Sequence, residues 1–180
     1  VRGLLDLLRA GIEDFDARFH VRPPLRRELD RQALLQGLRD GVIDAITSRH
    51  EPHEVAAIQM PFAETEPGMS QLETWLSQLL LLSRAGDCDF GTLLRASTAG
   101  AAAVTGIEGG SLQPGGLADL VVFDPHADWV PGGSDWASAG RNSPWLGTSL
   151  PGVVTTTLVG GRMVYQRQAG PERHSNPPAN

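Results

Sequence analysis

Val42-Ile43-Asp44-Ala45-Ile46-Thr47 runs without a break into Ser48-Arg49-His50-Glu51-Pro52-His53-Glu54, and the fold turns on how this junction is read. The first six residues form a short apolar run rich in β-branched side chains, patterned as a strand buried on both faces. Glu28–Arg39 precedes it and reads as a helix, with Leu29, Ala33, Leu34 and Leu38 inward and Gly41 closing it. A helix followed by a doubly buried strand is the unit of a parallel α/β sheet. The polar segment then leaves the strand at the end where α/β barrels carry their functional groups.

Working outward toward the amino end, Val1–Phe15 has helical spacing, with Leu4, Leu5, Leu8 and Ile12 on one face. Because that pattern already runs at Val1, the true amino terminus is expected upstream. Arg18–Val21 reads as short and extended, stopped by Pro23-Pro24. Toward the carboxy end, Ser48–Gly68 is a long loop, and loops of that length are often functional. Ser70–Ser83 predicts a helix with Leu72, Trp75, Leu76, Leu79, Leu80 and Leu82 on a wide apolar face. Phe90–Ala103 predicts a second, N-capped by Asp89.

After Gly109-Gly110 the character changes. Leu117–Asp124 predicts a strand ending at Pro125. Val153–Val159 and Arg162–Gln166 predict a hairpin around Gly160-Gly161. Asp128–Leu150 reads as an ordered but irregular excursion, anchored by Trp129, Trp136 and Trp145. Residues 1–108 are thus expected to end an α/β barrel or a doubly wound sheet, and 109–166 to form strands of a separate sheet. Residues 167–180 are expected to be a disordered tail.

Composition narrows the chemistry. A formal net charge of -6 argues against nucleic acid as a partner. All 15 basic residues are Arg, so no Schiff-base lysine, lysine base or carboxylated lysine can exist in this chain. Cys88 is the only cysteine, which excludes a disulfide framework and a thiolate metal cluster. The longest apolar run, around Leu79–Leu82, is too short to span a bilayer. With no signal peptide in view, the cytoplasm is the expected location.

His50 and His53, with Glu51 and Glu54 among them, invite a metal reading. Pro52 prevents a regular helix from bringing the two imidazoles onto one face, and no further ligand recurs nearby. Ser48 is not on a Gly-flanked elbow, so a Ser-His-Asp arrangement is the weaker idea. His20, His126 and His174 are isolated and read as surface or packing residues.

Val21-Arg22-Pro23-Pro24-Leu25-Arg26, Asp40-Gly41 with Ile43-Asp44-Ala45-Ile46, Ser48-Arg49-His50-Glu51-Pro52-His53 and Pro61-Phe62-Ala63 with Glu66-Pro67-Gly68 together resemble the dihydroorotases of the amidohydrolase superfamily. Gly109-Gly110-Ser111-Leu112-Gln113-Pro114-Gly115, Ala118–Pro125, Arg141-Asn142-Ser143-Pro144 and the Val153–Tyr165 hairpin complete the match, which covers about residues 12–166. The resemblance implies the carboxy-terminal part of a (β/α)8 amidohydrolase barrel plus strands of a small β-sandwich. It also implies that zinc, held in active members by ligands of an amino-terminal half, has no cofactor site in this chain.

Two departures bear on mechanism. Where the family carries a metal-binding, proton-shuttling Asp after the last barrel strand, this chain has Arg49, which neither ligates Zn²⁺ nor accepts a proton. Where the family has a substrate-contacting Asn, it has Arg22; His53, Pro67 and Gly68 are retained as vestigial substrate contacts. Asp44 lies about 16 Å back along the strand, toward the wrong end, and Glu51 leaves on a different vector. The phrases around Arg22 and Arg49 look most like non-catalytic dihydroorotase-like chains that accompany the aspartate transcarbamoylase catalytic chain. That resemblance implies a homo-oligomeric scaffold in pyrimidine biosynthesis; the alternative is an active cyclic amide hydrolase with a remodelled proton shuttle. As a scaffold, the chain should have a mobile or reshaped Ser48–Gly68 loop and a carboxylate paired with Arg49.

Overall fold

The computed structural model describes residues 15–167 together with a two-residue strand, β1, at Arg2–Gly3. That strand replaces the start of the helix expected over Val1–Phe15; the remainder of that expectation, up to residue 14, lies outside the described residues. Ala17–Phe19 forms a 3-10 turn capped by the Asp16 carboxylate, rather than the extended start expected at Arg18.

Helix α1 spans Glu28–Arg39, as the spacing predicts, and Gly41 closes it at φ 71. Its buried stripe is Arg31, Leu35 and Leu38, an i, i+4, i+7 row, whereas Leu29 is 82% exposed and Ala33 is exposed. Leu34 and Leu38 pack on the core as expected, and the buried Arg31 beside them is paired with Glu28 and Asp87. Strand β2 is only Ile46–Thr47, paired in parallel with β1. Ala45 and Ile46 are buried as expected, whereas Val42 is 76% exposed.

Helix α2, Trp75–Arg84, begins five residues later than expected. Ahead of it Gln71–Thr74 forms a turn, with Thr74 N donating to Gln71 O at 3.2 Å, and this turn leaves Leu72 outside. The second expected helix is two, α3 (Phe90–Ser97) and α4 (Ala99–Thr105), broken at Thr98 with φ -122 and ψ -89. Asp89 is the N-cap of α3, accepting from Thr92 N at 2.9 Å. Leu35, Leu38, Ile46, Leu79, Leu82, Cys88, Leu93 and Ala96 form the core, where each buried leucine contributes roughly 1.5–3 kcal/mol.

Strands β3 (Leu120–Trp129), β4 (Leu150–Val159) and β5 (Arg162–Gln166) form an antiparallel sheet in that order. The β4–β5 hairpin is the predicted one, with Gly160 at φ 55 and Gly161 at φ 75. Strand β3 does not end at Pro125. Its register with β4 shifts between Asp124 and Asp128, so the proline sits in a bulge that needs no ladder donor. Trp129 Nε1 donates to Ser77 Oγ at 3.0 Å, fastening the sheet to α2, and the buried Trp136 donates to Gly140 O at 2.9 Å within the excursion. Of the tail expected to be disordered over 167–180, Arg167 is instead held, donating to Asp135 Oδ2 and Thr155 O at 2.8 Å each, and residues 168–180 lie outside the described residues. Among the described residues, no helix is long and apolar enough to cross a membrane.

Candidate functional site

Chain leaving β2 turns at once. Ser48 Oγ accepts from His50 N at 3.3 Å, closing a short side-chain turn whose apex, Arg49, takes the left-handed φ of 50. Ser48 thus serves the turn. His50 Nδ1 accepts from the backbone N–H groups of Gln71 (3.0 Å) and Leu72 (3.2 Å), and Glu51 N donates to Met69 O at 2.9 Å. The loop is thereby laid along the segment that leads into α2.

The bonds to Nδ1 fix the chemistry of His50. With that lone pair engaged, the neutral ring carries its proton on Nε2, which faces Ser138 Oγ at 3.5 Å. Such a ring can donate to Ser138 and cannot take its proton, so the two are not a nucleophile and base. Beside them Glu73 Oε1 accepts from Ser138 N at 2.6 Å, while Oε2 is buried without a partner. Burial works to raise the Glu73 carboxyl, but hydrogen bonds from Ser138 and its own backbone, with the nearby His50 ring, hold it below the usual carboxylate range.

His53 is held on every side. Its Nδ1 lies 3.1 Å from Glu66 Oε2 and its Nε2 3.2 Å from Pro67 O. Gly68 packs so closely that a Cβ there would stand 2.5 Å from His53 Nε2 and 2.8 Å from Glu51 O. Gly68 N in turn donates to His20 O at 2.8 Å. The structure thus brings His53, Pro67 and Gly68 together. Arg22, two residues beyond His20, is exposed and does not join them.

A residue to which the sequence assigned no role organises the whole region. Asn142 is fully buried; its Oδ1 accepts from His53 N at 2.8 Å and from Ser70 Oγ at 2.7 Å, and its Nδ2 donates to Glu51 O at 3.0 Å. Arg141 N donates to His53 O at 3.2 Å, and Ser70 N donates to Asn142 O at 3.1 Å. The excursion between β3 and β4 therefore clamps both ends of the loop. The one signal in the sequence was the Arg141-Asn142-Ser143-Pro144 phrase, whose partners lie far away in the chain.

Ser48–Gly68 has structure of its own, with 3-10 turns at Val55–Ile58 and Phe62–Glu64. The His20 ring stacks on Phe62 at 4.6 Å, and its Nδ1 bonds Thr65 Oγ1 at 2.7 Å, so His20 packs the loop. The carboxylate expected beside Arg49 is not found among the described residues. Asp44 lines a cavity of about 450 Å³ with Leu38, Ile43, Arg95 and Gly100, away from the two histidines.

These donors do not fit a zinc ion. Among the described residues no three His, Cys, Asp or Glu side chains come together. Both ring nitrogens of His50 are committed, those of His53 face oxygen atoms, and Arg49 stands between them and the strand.

Comparison with known proteins supplies the wider frame. The model of the amidohydrolase family matches residues 13–164. A dihydroorotase-like protein of Pseudomonas putida is 43% identical over 168 residues, covering 93% of this chain and 38% of that protein. A dihydroorotase of Syntrophus aciditrophicus (strain SB) is 40% identical over 156 residues, covering 87% of this chain and 37% of that one. Among solved structures, the L-hydantoinase (dihydropyrimidinase) from Arthrobacter aurescens superposes with a TM-score of 0.77 at 26% identity, over 89% of this chain and 38% of that one. The chain therefore spans well under half the length of its relatives. The superposition resolves the fold in favour of the carboxy-terminal part of a (β/α)8 barrel, and the doubly wound alternative falls away.

Proposed function

The chain belongs to the amidohydrolase family, and from that premise we propose that it is a dihydroorotase-like protein of pyrimidine biosynthesis that does not hydrolyse dihydroorotate. Its role is structural, as a partner of the aspartate transcarbamoylase catalytic chain, in a cytoplasmic homo-oligomeric assembly and with no cofactor bound by this segment. One observation carries the reading: the position immediately after β2 and Ser48 is Arg49. Hydrolysis of a cyclic amide needs a group there that takes a proton from attacking water, and a guanidinium stays protonated at any working pH. The neighbours do not replace it. His50 has its acceptor nitrogen occupied, Glu51 is exposed with its backbone bound to Met69 and Asn142, and Asp44 lines another cavity.

The test is dihydroorotate turnover by the whole protein with zinc supplied and aspartate transcarbamoylase absent. The expected result is no turnover above the uncatalysed rate, together with a stable complex when the transcarbamoylase chain is added. Clear turnover would sink the reading.

A second reading is favoured by the superposition on the L-hydantoinase. On it, the chain is part of an active cyclic amide hydrolase whose proton shuttle lies elsewhere, and turnover of a hydantoin in the same assay would select it.

A further inference from the structure

Three arginines among the described residues are buried or half-buried: Arg31, Arg49 and Arg167. Arg31 is paired with Glu28 and Asp87, and Arg167 with Asp135. Arg49 makes no ion pair or side-chain hydrogen bond with any described residue. The chain does not lack carboxylates, having 21 acidic residues against 15 arginines. Of the carboxylates on the loop and its neighbours, Glu66 pairs with His53 and Glu73 accepts from Ser138, while Glu51 and Glu54 are exposed and form no recorded pair with Arg49. A partly desolvated cation left without a counter-charge is costly, and native structures ordinarily pair it.

The backbone around Arg49 is also fixed. Ser48 Oγ closes the turn on one side, and the His50 ring and Glu51 N are tied to residues 69–72 on the other. A left-handed φ at a residue other than Gly is unfavourable and persists where the surroundings over-determine it, a condition that clusters at ligand sites. Arg49 is thus a half-buried guanidinium on a fixed turn, with no partner for its donors among the described residues.

We infer that Arg49 is the cationic element of an anion-binding site on the loop after β2, taking a small ligand that presents a carboxylate or a phosphate group. The planar guanidinium offers two parallel N–H donors that match the paired oxygens of either group. The inference rests on the non-hydrolytic reading above, because the same position cannot complete a zinc site and bind an anion.

The test is calorimetric titration of the whole protein with succinate and, separately, with inorganic phosphate, at constant ionic strength and with a chelator present. Saturable one-to-one binding of at least one probe is expected, and which probe binds distinguishes a carboxylate ligand from a phosphate ligand. Arg49→Gln should weaken that binding at least tenfold. Arg49→Lys, which keeps the charge and loses the fork, should weaken it severalfold and serves if the Gln variant does not fold. Arg162→Gln, an exposed substitution on β5, should leave it unchanged. No saturable binding of either probe, or equal affinity in both Arg49 variants and wild type, would overturn the inference. Neither measurement involves dihydroorotate or zinc, so turnover in the separate assay would overturn the scaffold reading without being mistaken for this result.

Discussion

Arg31 Nη1 donates to Asp87 Oδ2 at 3.0 Å, joining the first turn of α1 to the turn that follows α2, with side chains only 3% and 13% exposed. The Arg31 guanidinium is held strongly in its charged form: its hydrogen bonds to Glu28 raise its pKa most, burial opposes them, and Asp87 adds to the rise. The pair sits at the end of the core, where Arg39 also reaches the Asp87 carbonyl.

Breaking this pair from the buried side should be far more costly than from the open side. Arg31→Met leaves Asp87 without its guanidinium and is expected to destabilise the fold by about 3 kcal/mol. Glu28 is 52% exposed, and Glu28→Gln should cost less than about 1 kcal/mol. Urea denaturation of the two variants compares them directly; equal losses would show that the buried pair is not the anchor.

Asn142→Ala removes the partners of His53 N, Ser70 Oγ and Glu51 O at once. The expected loss is about 3 kcal/mol, since each orphaned buried group costs roughly 1–3 kcal/mol and some regain water. Hydrogen exchange should report the change locally, as faster exchange at His53 with little change in α1. Unchanged protection at His53 would mean that the clamp does not hold the loop.

The Glu73 carboxyl has a folded-state pKa below its ordinary value, so its contribution is fully present above about pH 4.5 and is lost as pH falls through the lowered value. Glu73→Gln should therefore be less stable than wild type at pH 7, and the gap should narrow on acidification. Thermal melts from pH 7 to pH 3 follow this; a gap that widens toward acid would contradict the assignment.

At the β4–β5 turn both glycines have left-handed φ, and a Cβ at Gly160 would meet no atom within 4 Å. Gly160→Ala should then cost about 1 kcal/mol through backbone strain alone, and Gly160→Asn less, because Asn tolerates that region. Denaturation midpoints of the two variants separate strain from packing.

Elements specified by local chemistry were readable. Helix α1, the Asp89 cap and the Gly160-Gly161 hairpin each depend on residues within a few positions of one another. What could not be read depends on distant partners. The burial of Arg31 on α1 is matched by Asp87, the short β2 pairs with β1 near the start of the chain, and the passage of β3 through Pro125 goes with a register shift against β4. The candidate site divides in the same way. Arg49, His53, Pro67 and Gly68 stood out in a short stretch of sequence, and three of these four meet in space. Asn142 did not stand out, because its meaning lies in atoms about 70 to 90 residues away.

That separation has a consequence in time. His53 and Asn142 are 89 positions apart, so during synthesis the loop emerges on the order of ten seconds before the residue that clamps it. For that interval Glu51 O and His53 N can be satisfied only by water or by other partners, and a chaperone or an incorrect partner can reach them. The loop that most distinguishes this chain is therefore among the last parts of it to acquire a fixed shape at birth.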